Sequence, residues 1–119
     1  MRNVIMLAAE ADVRISSVLK NHLDRVDICH VDYGMPANRC ALEEPNEWGA
    51  IVLLSSSAAS TVHFRSAWKE IIFAGYRQYI IKVDRGSLSL LPKEFFGLHY
   101  YDLQEHTFDL VTDAILNDT

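Results

Sequence analysis

The sequence predicts a single α/β domain: a three-layer sandwich with about five parallel strands in the order 2-1-3-4-5 and helices on both faces. Its 119 residues are enough for one domain with a real core but too few for two. Half of the residues are hydrophobic and 23% are charged, which is typical of a globular chain. Short apolar runs alternate with helical patterns, and this alternation favours right-handed crossovers between parallel strands.

The first half of the chain predicts two strands separated by an amphipathic helix. Residues 3–7 form a short apolar strand, and Asp12 is the predicted N-cap of the helix that follows. Residues 26–31 predict the second strand. After it, Pro36 and Pro45 bracket at most a short helix, because proline disfavours helical geometry in the residue before it. Four apolar side chains of the first helix lie at helical spacing: Ile15, Val18, Leu19 and Leu23.

The second half predicts three more strands, of which the third is the most distinctive. The run AIVLL at residues 50–54 is continuously apolar and ends in serines, as expected of a central strand buried on both faces. Ser60 or Thr61 is the predicted cap of the next helix, which Gly75 ends. The apolar stripe of that helix is predicted at Phe64, Trp68, Ile71 and Ile72. The remaining predicted elements are strands at residues 79–83 and 99–101 and a closing helix with Phe108, Val111 and Ile115.

Charge and hydropathy argue against several classes of partner. Eleven Lys and Arg against sixteen Asp and Glu give a formal charge of −5, and the scattered basic residues form no stripe for phosphates. Nucleic acid is therefore not the expected partner. The apolar run at residues 4–7 is too short for a signal sequence, and no run approaches membrane-spanning length. We therefore expect a cytoplasmic protein without a membrane partner, with Cys29 and Cys40 as reduced thiols.

The predicted strand order also indicates where a site would lie. In open parallel sheets, ligands bind at the carboxyl ends of the strands, at the switch point of the strand order, which here lies between strands one and three. No metal is expected, because the five histidines lie in separate segments without metal-ligand spacing. The predicted switch point brings together the ends of the two strands, which are Ala8, Ala9 and Glu10 on one side and Ser55, Ser56 and Ser57 on the other.

The order of motifs in the second half resembles the TIR (Toll/interleukin-1 receptor) domain family, in a divergent form of the prokaryotic type. The matching pieces are IVLLSSSAAS, FRSAWKEIIFAG, YIIKVD, LLPKEF and GLHYYDL. In that family an apolar third strand ends in serine and is followed by a helix with a Trp and a Glu. A Leu-Pro loop later precedes a short aromatic strand that ends in Asp. The resemblance extends over nearly the whole chain, so that residues 1–119 are expected to form one TIR-like domain.

The resemblance implies one of two functions. The first is assembly with itself or with another signalling domain, in innate-immune or antiviral-defence signal transduction. The second is cleavage of NAD at the nicotinamide-ribose bond, with Glu70 as the catalytic residue, NAD as substrate and no cofactor. A carboxylate suits that reaction because positive charge develops on the ribose as nicotinamide leaves. The expected assembly surfaces are the Glu70 helix and a loop of Asp32, Tyr33, Gly34, Met35 and Pro36.

Departures from the family pattern favour assembly over catalysis. Ala8 and Ala9 stand where the family usually has an aromatic or polar cluster beside the nucleotide. Trp68 lies two residues before Glu70 instead of four, which places the two side chains about 200° apart on an ideal helix. A third interpretation is a silent pseudo-receiver, since residues 55–57 offer only serine where a phosphate-accepting receiver needs aspartate.

The candidate residues also have ordinary structural interpretations. Serines at the end of a strand favour turning and capping, and this role is preferred for residues 55–57. Glu70 also fits a solvated position on an amphipathic helix.

Overall fold

The computed structural model describes residues 2–33, 48–84 and 99–117, which contain a five-stranded, all-parallel sheet in the order β2-β1-β3-β4-β5. The predicted fold class is confirmed. The strands are β1 (Arg2–Leu7), β2 (Ile28–Asp32), β3 (Trp48–Leu54), β4 (Arg77–Lys82) and β5 (Tyr100–Asp102). The helices are α1 (Val13–Arg25), α2 (Ser56–Ala59), α3 (Val62–Ala74) and α4 (Thr107–Asn117), and a 3-10 turn at Glu10–Asp12 precedes α1.

Two hydrophobic cores lie on opposite faces of the sheet, because successive strand side chains point to opposite sides. Val4 and Met6 of β1 pack with α1 and α4, whereas Ile5 and Leu7 pack with α2 and α3. Residues 50–54 of β3 are fully buried, as predicted for the central strand. The crossover from β1 through α1 to β2 and the crossover from β3 through α3 to β4 run in opposite directions along the sheet. Because such crossovers are right-handed, α1 and α3 lie on opposite faces.

Helix α3 packs against the sheet around Trp68, which is fully buried. Phe64 and Ile71 are buried on the same stripe, and the Phe64 and Trp68 rings pack edge to face with centroids 6.3 Å apart. The Trp68 indole Nε1 donates a hydrogen bond of 2.7 Å to Gln78 Oε1. The predicted apolar stripe is therefore confirmed, although Ile72 at its edge is only half-buried.

Several predicted details of the elements are wrong for local reasons. Strand β2 begins at Ile28, two residues later than predicted, because Val26 and Asp27 form the turn that ends α1. On α1 itself, Leu19 is fully buried, but Val18 is 58% exposed because the next residue along a helix points about 100° away. The predicted short helix between Pro36 and Pro45 lies outside the described residues. No described helix has the length and apolar character that a membrane crossing requires.

Gly75 ends α3, as predicted, in the left-handed backbone conformation with φ of 84°. Its N–H donates to the Ile72 carbonyl at 3.1 Å, and an added Cβ atom would meet nothing within 4 Å. We therefore expect Gly75→Ala to lower the free energy of unfolding by about 1–2 kcal/mol through backbone strain alone. Urea denaturation followed by circular dichroism measures this loss, and an unchanged midpoint would contradict the left-handed geometry.

Candidate functional site

A cleft of about 460 Å³ opens at the carboxyl ends of β1 and β3, where the sequence predicts the switch point. Four of the six residues predicted at the switch point line it: Ala8, Ala9, Glu10 and Ser57. Side chains from Tyr33 after β2 and from the first turns of α3, including His63 and Phe64, complete the wall. The lining is largely apolar and includes the rings of Tyr33 and Phe64 and the small side chains of Ala8 and Ala9.

Tyr33 and Glu70, which the sequence assigned to an interaction loop and a catalytic site, contact each other. The Tyr33 hydroxyl donates a hydrogen bond to Glu70 Oε2. The Tyr33 backbone N–H donates to the Met6 carbonyl at 2.8 Å, which fixes Tyr33 at the end of β2. Burial and the neighbouring Glu70 carboxylate raise the pKa of Tyr33, so its hydroxyl stays protonated and remains a donor at neutral pH. Tyr33 lines the cleft, and Glu70 contacts the Tyr33 hydroxyl from α3.

Glu70 and Trp68 point in different directions, as their spacing predicts. Trp68 is fully buried under α3, whereas Glu70 is exposed on the solvent side of the same helix. The carboxylate therefore lies on the outer surface of the domain, beside Tyr33. Gly34, Met35 and Pro36 of the predicted interaction loop lie outside the described residues.

Ser55, which was predicted to line the cleft, is buried and forms hydrogen bonds to Asp12 and to the first turn of α2. Its hydroxyl donates to Asp12 Oδ2 at 2.6 Å and accepts from the Ala58 N–H at 3.1 Å, which caps α2. Asp12 is also buried and precedes α1, but its side chain does not cap that helix. Asp12 therefore occupies the predicted N-cap position of α1 but forms no capping bond, because its carboxylate accepts the hydrogen bond from Ser55 instead.

Ser56, another predicted cleft residue, connects the ends of β3 and β4. Its backbone N–H donates to Asp84 Oδ2 at 2.9 Å, and its hydroxyl donates to Asp84 Oδ1 at 2.7 Å. Of the three serines, Ser57 lines the cleft. Thr61 precedes α3 as predicted but forms no capping bond, because its hydroxyl donates to the Ser57 carbonyl at 2.8 Å. The serine run thus mainly has the structural role that strand-end serines favour.

The sequence did not predict that α3 contributes the residues that narrow the cleft, such as His63, Phe64 and Ala67. The order of the elements could have indicated this, because the first turn of a helix that follows β3 must lie near the carboxyl edge of the sheet. The Tyr33–Glu70 and Asp12–Ser55 contacts had no such signal, since each pair is separated by more than 35 residues. Among the described residues, no group of three or more His, Cys, Asp or Glu side chains could hold a metal ion.

The fold and the cleft thus define a doubly wound α/β domain with an open site at its switch point. No model of a known protein family matches the chain, and no curated protein matches it either. The TIR resemblance accordingly stays a prediction from the sequence motifs.

Proposed function

We propose that this chain is a TIR-like signalling or defence module that acts by protein-protein assembly, in the first place with copies of itself. The observation that carries the proposal is the hydrogen bond from the Tyr33 hydroxyl to Glu70. It connects the start of the predicted interaction loop to the exposed side of α3. Tyr33, the last described residue of that loop, therefore lies on the same surface as the exposed side of α3.

The exposed side of α3 also carries the kind of side chain that anchors protein interfaces. Phe73 is 86% exposed, the highest value among the large hydrophobic side chains of the described residues. It lies three residues after Glu70 and is therefore its neighbour on the helix surface. At the other end of the same helix, Val62 is 64% exposed. Aromatic residues dominate the binding energy of many interfaces, which supports a docking role for this face.

Cleavage of NAD at Glu70 is the second candidate function. It is supported by the cleft at the switch point and by the predicted residues that line it, Ala8, Ala9, Glu10 and Ser57. Against it, the Glu70 carboxylate already accepts a hydrogen bond from Tyr33. The pseudo-receiver alternative is not affected by the buried contact between Ser55 and Asp12, because a silent receiver needs no phosphate acceptor.

Sedimentation velocity over a concentration series tests the assembly proposal. We expect the wild-type protein to self-associate, and Tyr33→Phe to weaken self-association by about two- to tenfold, because association must then order the Tyr33 side chain against α3 without its intramolecular hydrogen bond to Glu70, at a cost of about 0.5–1.5 kcal/mol. Val18→Ser provides the matched control, because Val18 is exposed on α1, on the opposite face of the sheet. A wild-type protein that remains monomeric at every concentration would contradict the proposal.

Nicotinamide release from NAD by the concentrated protein separates assembly from catalysis. We expect no release from the wild type, because Glu70 is bonded to Tyr33 outside the cleft lining. Release that disappears in Glu70→Ala but persists in Asp113→Ala, an exposed carboxylate on α4, would instead establish the enzyme.

A further inference from the structure

We propose that the cleft at the switch point binds a small organic cation with apolar groups, such as a quaternary ammonium ion. Three features of the cleft carry this inference: the fixed ring of Tyr33, the unpaired carboxylate of Glu10, and a lining that contains no Lys or Arg among the described residues. The inference does not depend on the proposed assembly function, because the site lies within one copy of the chain.

The cleft has the size and the lining of a small-molecule site. Its volume of about 460 Å³ lies in the usual range for such sites, which are mostly apolar with a few polar groups. Small side chains provide the room, since Ala8, Ala9, Ala11 and Ala67 all belong to the lining. A compact ligand with apolar groups can therefore exchange its contacts with water for contacts with these walls.

The Tyr33 ring in this lining is held in place at both ends. The backbone N–H of Tyr33 donates to the Met6 carbonyl at 2.8 Å, and its hydroxyl donates to the Glu70 carboxylate. Cations are attracted to the electron-rich faces of aromatic rings. The hydrogen bond to Glu70 polarises the hydroxyl and makes the ring more electron-rich, which strengthens this attraction. Because the ring is already fixed, binding a cation orders few additional atoms.

Glu10 supplies a negative charge to the same lining. Its side chain is exposed and, within the described ranges, forms no hydrogen bond or ion pair. The two neighbouring carboxylates are already bonded, since Asp12 accepts from Ser55 and Glu70 accepts from Tyr33. Glu10 is therefore the carboxylate of the described lining that can pair with a bound cation.

The charges around the cleft favour a cation over an anion. The part of the lining that the structure describes contains no Lys or Arg. Arg65 of α3 is not a lining residue, and its guanidinium donates to the Ala59 carbonyl at 3.3 Å. His63 lines the cleft, and an imidazole is mostly neutral above the range in which histidine ordinarily titrates. A ligand phosphate or carboxylate would thus face Glu10 without a cationic partner, whereas an ammonium ion complements the site.

Titration with three probes of similar shape tests this inference. The probes are choline, its uncharged carbon analogue 3,3-dimethylbutan-1-ol, and the anion 3,3-dimethylbutanoate, which tests for attraction by the N-terminal end of α3. Nuclear magnetic resonance of the ¹⁵N-labelled protein at pH 7.5 follows the amide signals of Ala8, Ala9 and Glu10, which locates binding in the cleft. We expect choline to bind at least about tenfold more tightly than the alcohol, because attraction to one aromatic ring accounts for about 2- to 30-fold and Glu10 adds to it. The carboxylate should bind more weakly than the alcohol.

Two pairs of variants test the residues that carry the inference. Glu10→Gln should reduce the preference for choline over the alcohol at least about threefold, whereas Glu105→Gln, an exposed carboxylate beside β5, is the matched control and should leave it unchanged. Tyr33→Leu removes the ring and should reduce the preference by a similar factor. Tyr33→Phe keeps the ring and should retain choline binding within about threefold, although it should weaken self-association.

Several outcomes would overturn the cation site and leave the assembly function standing. They are equal binding of choline and the alcohol, tighter binding of the carboxylate, amide shifts confined to another surface, and no binding of any probe. An unchanged preference in Glu10→Gln would overturn it as well. Far-UV circular dichroism checks that the variants are folded, and if Tyr33→Leu is not, the comparison of Glu10→Gln with Glu105→Gln decides.

Discussion

Trp68→Ala should lower the free energy of unfolding by about 3–5 kcal/mol, the usual cost of removing a large buried aromatic side chain. Trp68 is fully buried between α3 and the sheet, so its loss leaves a cavity that the surrounding core can fill only in part. The substitution also removes the indole donor to Gln78. Urea denaturation followed by far-UV circular dichroism gives the change directly.

Phe73→Ala is the matched control for this prediction, because it truncates another aromatic side chain of the same helix. Phe73 is exposed, so its removal should change the stability of the monomer by no more than about 0.5 kcal/mol. Similar losses for the two variants would mean that α3 does not pack through the Trp68 stripe.

Ser55→Ala should lower the free energy of unfolding by about 2–4 kcal/mol. It removes the N-cap of α2, typically worth about 1 kcal/mol, and a hydrogen bond to the buried Asp12 carboxylate, worth about 1.5–3 kcal/mol. The second loss is large because a buried carboxylate without its donor keeps the cost of desolvation. Chemical denaturation of the purified variant measures the combined effect.

Ser57→Ala is the matched control, since Ser57 lies in the same serine run but is exposed. Its replacement should leave stability within about 0.5 kcal/mol of the wild type. Adding Asp12→Ala to Ser55→Ala should recover part of the loss, because the double variant no longer buries an unpaired carboxylate. Equal effects of Ser55→Ala and Ser57→Ala, or no recovery in the double variant, would contradict the structural role of the Asp12–Ser55 pair.

The fold could be predicted largely because its signals are local. The unbroken apolar run at residues 50–54 identifies the central strand, and the spacing of Phe64, Trp68 and Ile71 identifies the buried side of α3. Alternation of strands and helices then limits the topology to few possibilities. The position of the cleft follows from that topology, which is why the predicted residues Ala8 and Ser57 lie in its lining.

The partners of individual side chains could not be predicted in the same way. The sequence places Asp12 before the first helix and Ser55 at the end of the third strand, but the bond between them depends on how two strands align. A capping role was preferred for residues 55–57, but the four-residue α2 that Ser55 caps was not predicted, because it is too short to produce a periodic pattern. The contact between Tyr33 and Glu70 likewise depends on two elements brought together only by the folded sheet.

Because the Tyr33 hydroxyl already donates a hydrogen bond to Glu70, any other donor that binds the Glu70 carboxylate must compete with Tyr33. A donor tethered in the same chain acts at an effective concentration that a free molecule rarely reaches. A substrate that needs the Glu70 carboxylate must first displace the tyrosine, whereas a protein that docks over Phe73 can leave the bond intact. If the domain acts by the assembly proposed above, it therefore favours a partner that leaves the contact between Tyr33 and Glu70 in place, and a ligand that breaks this contact would free the Tyr33 side chain.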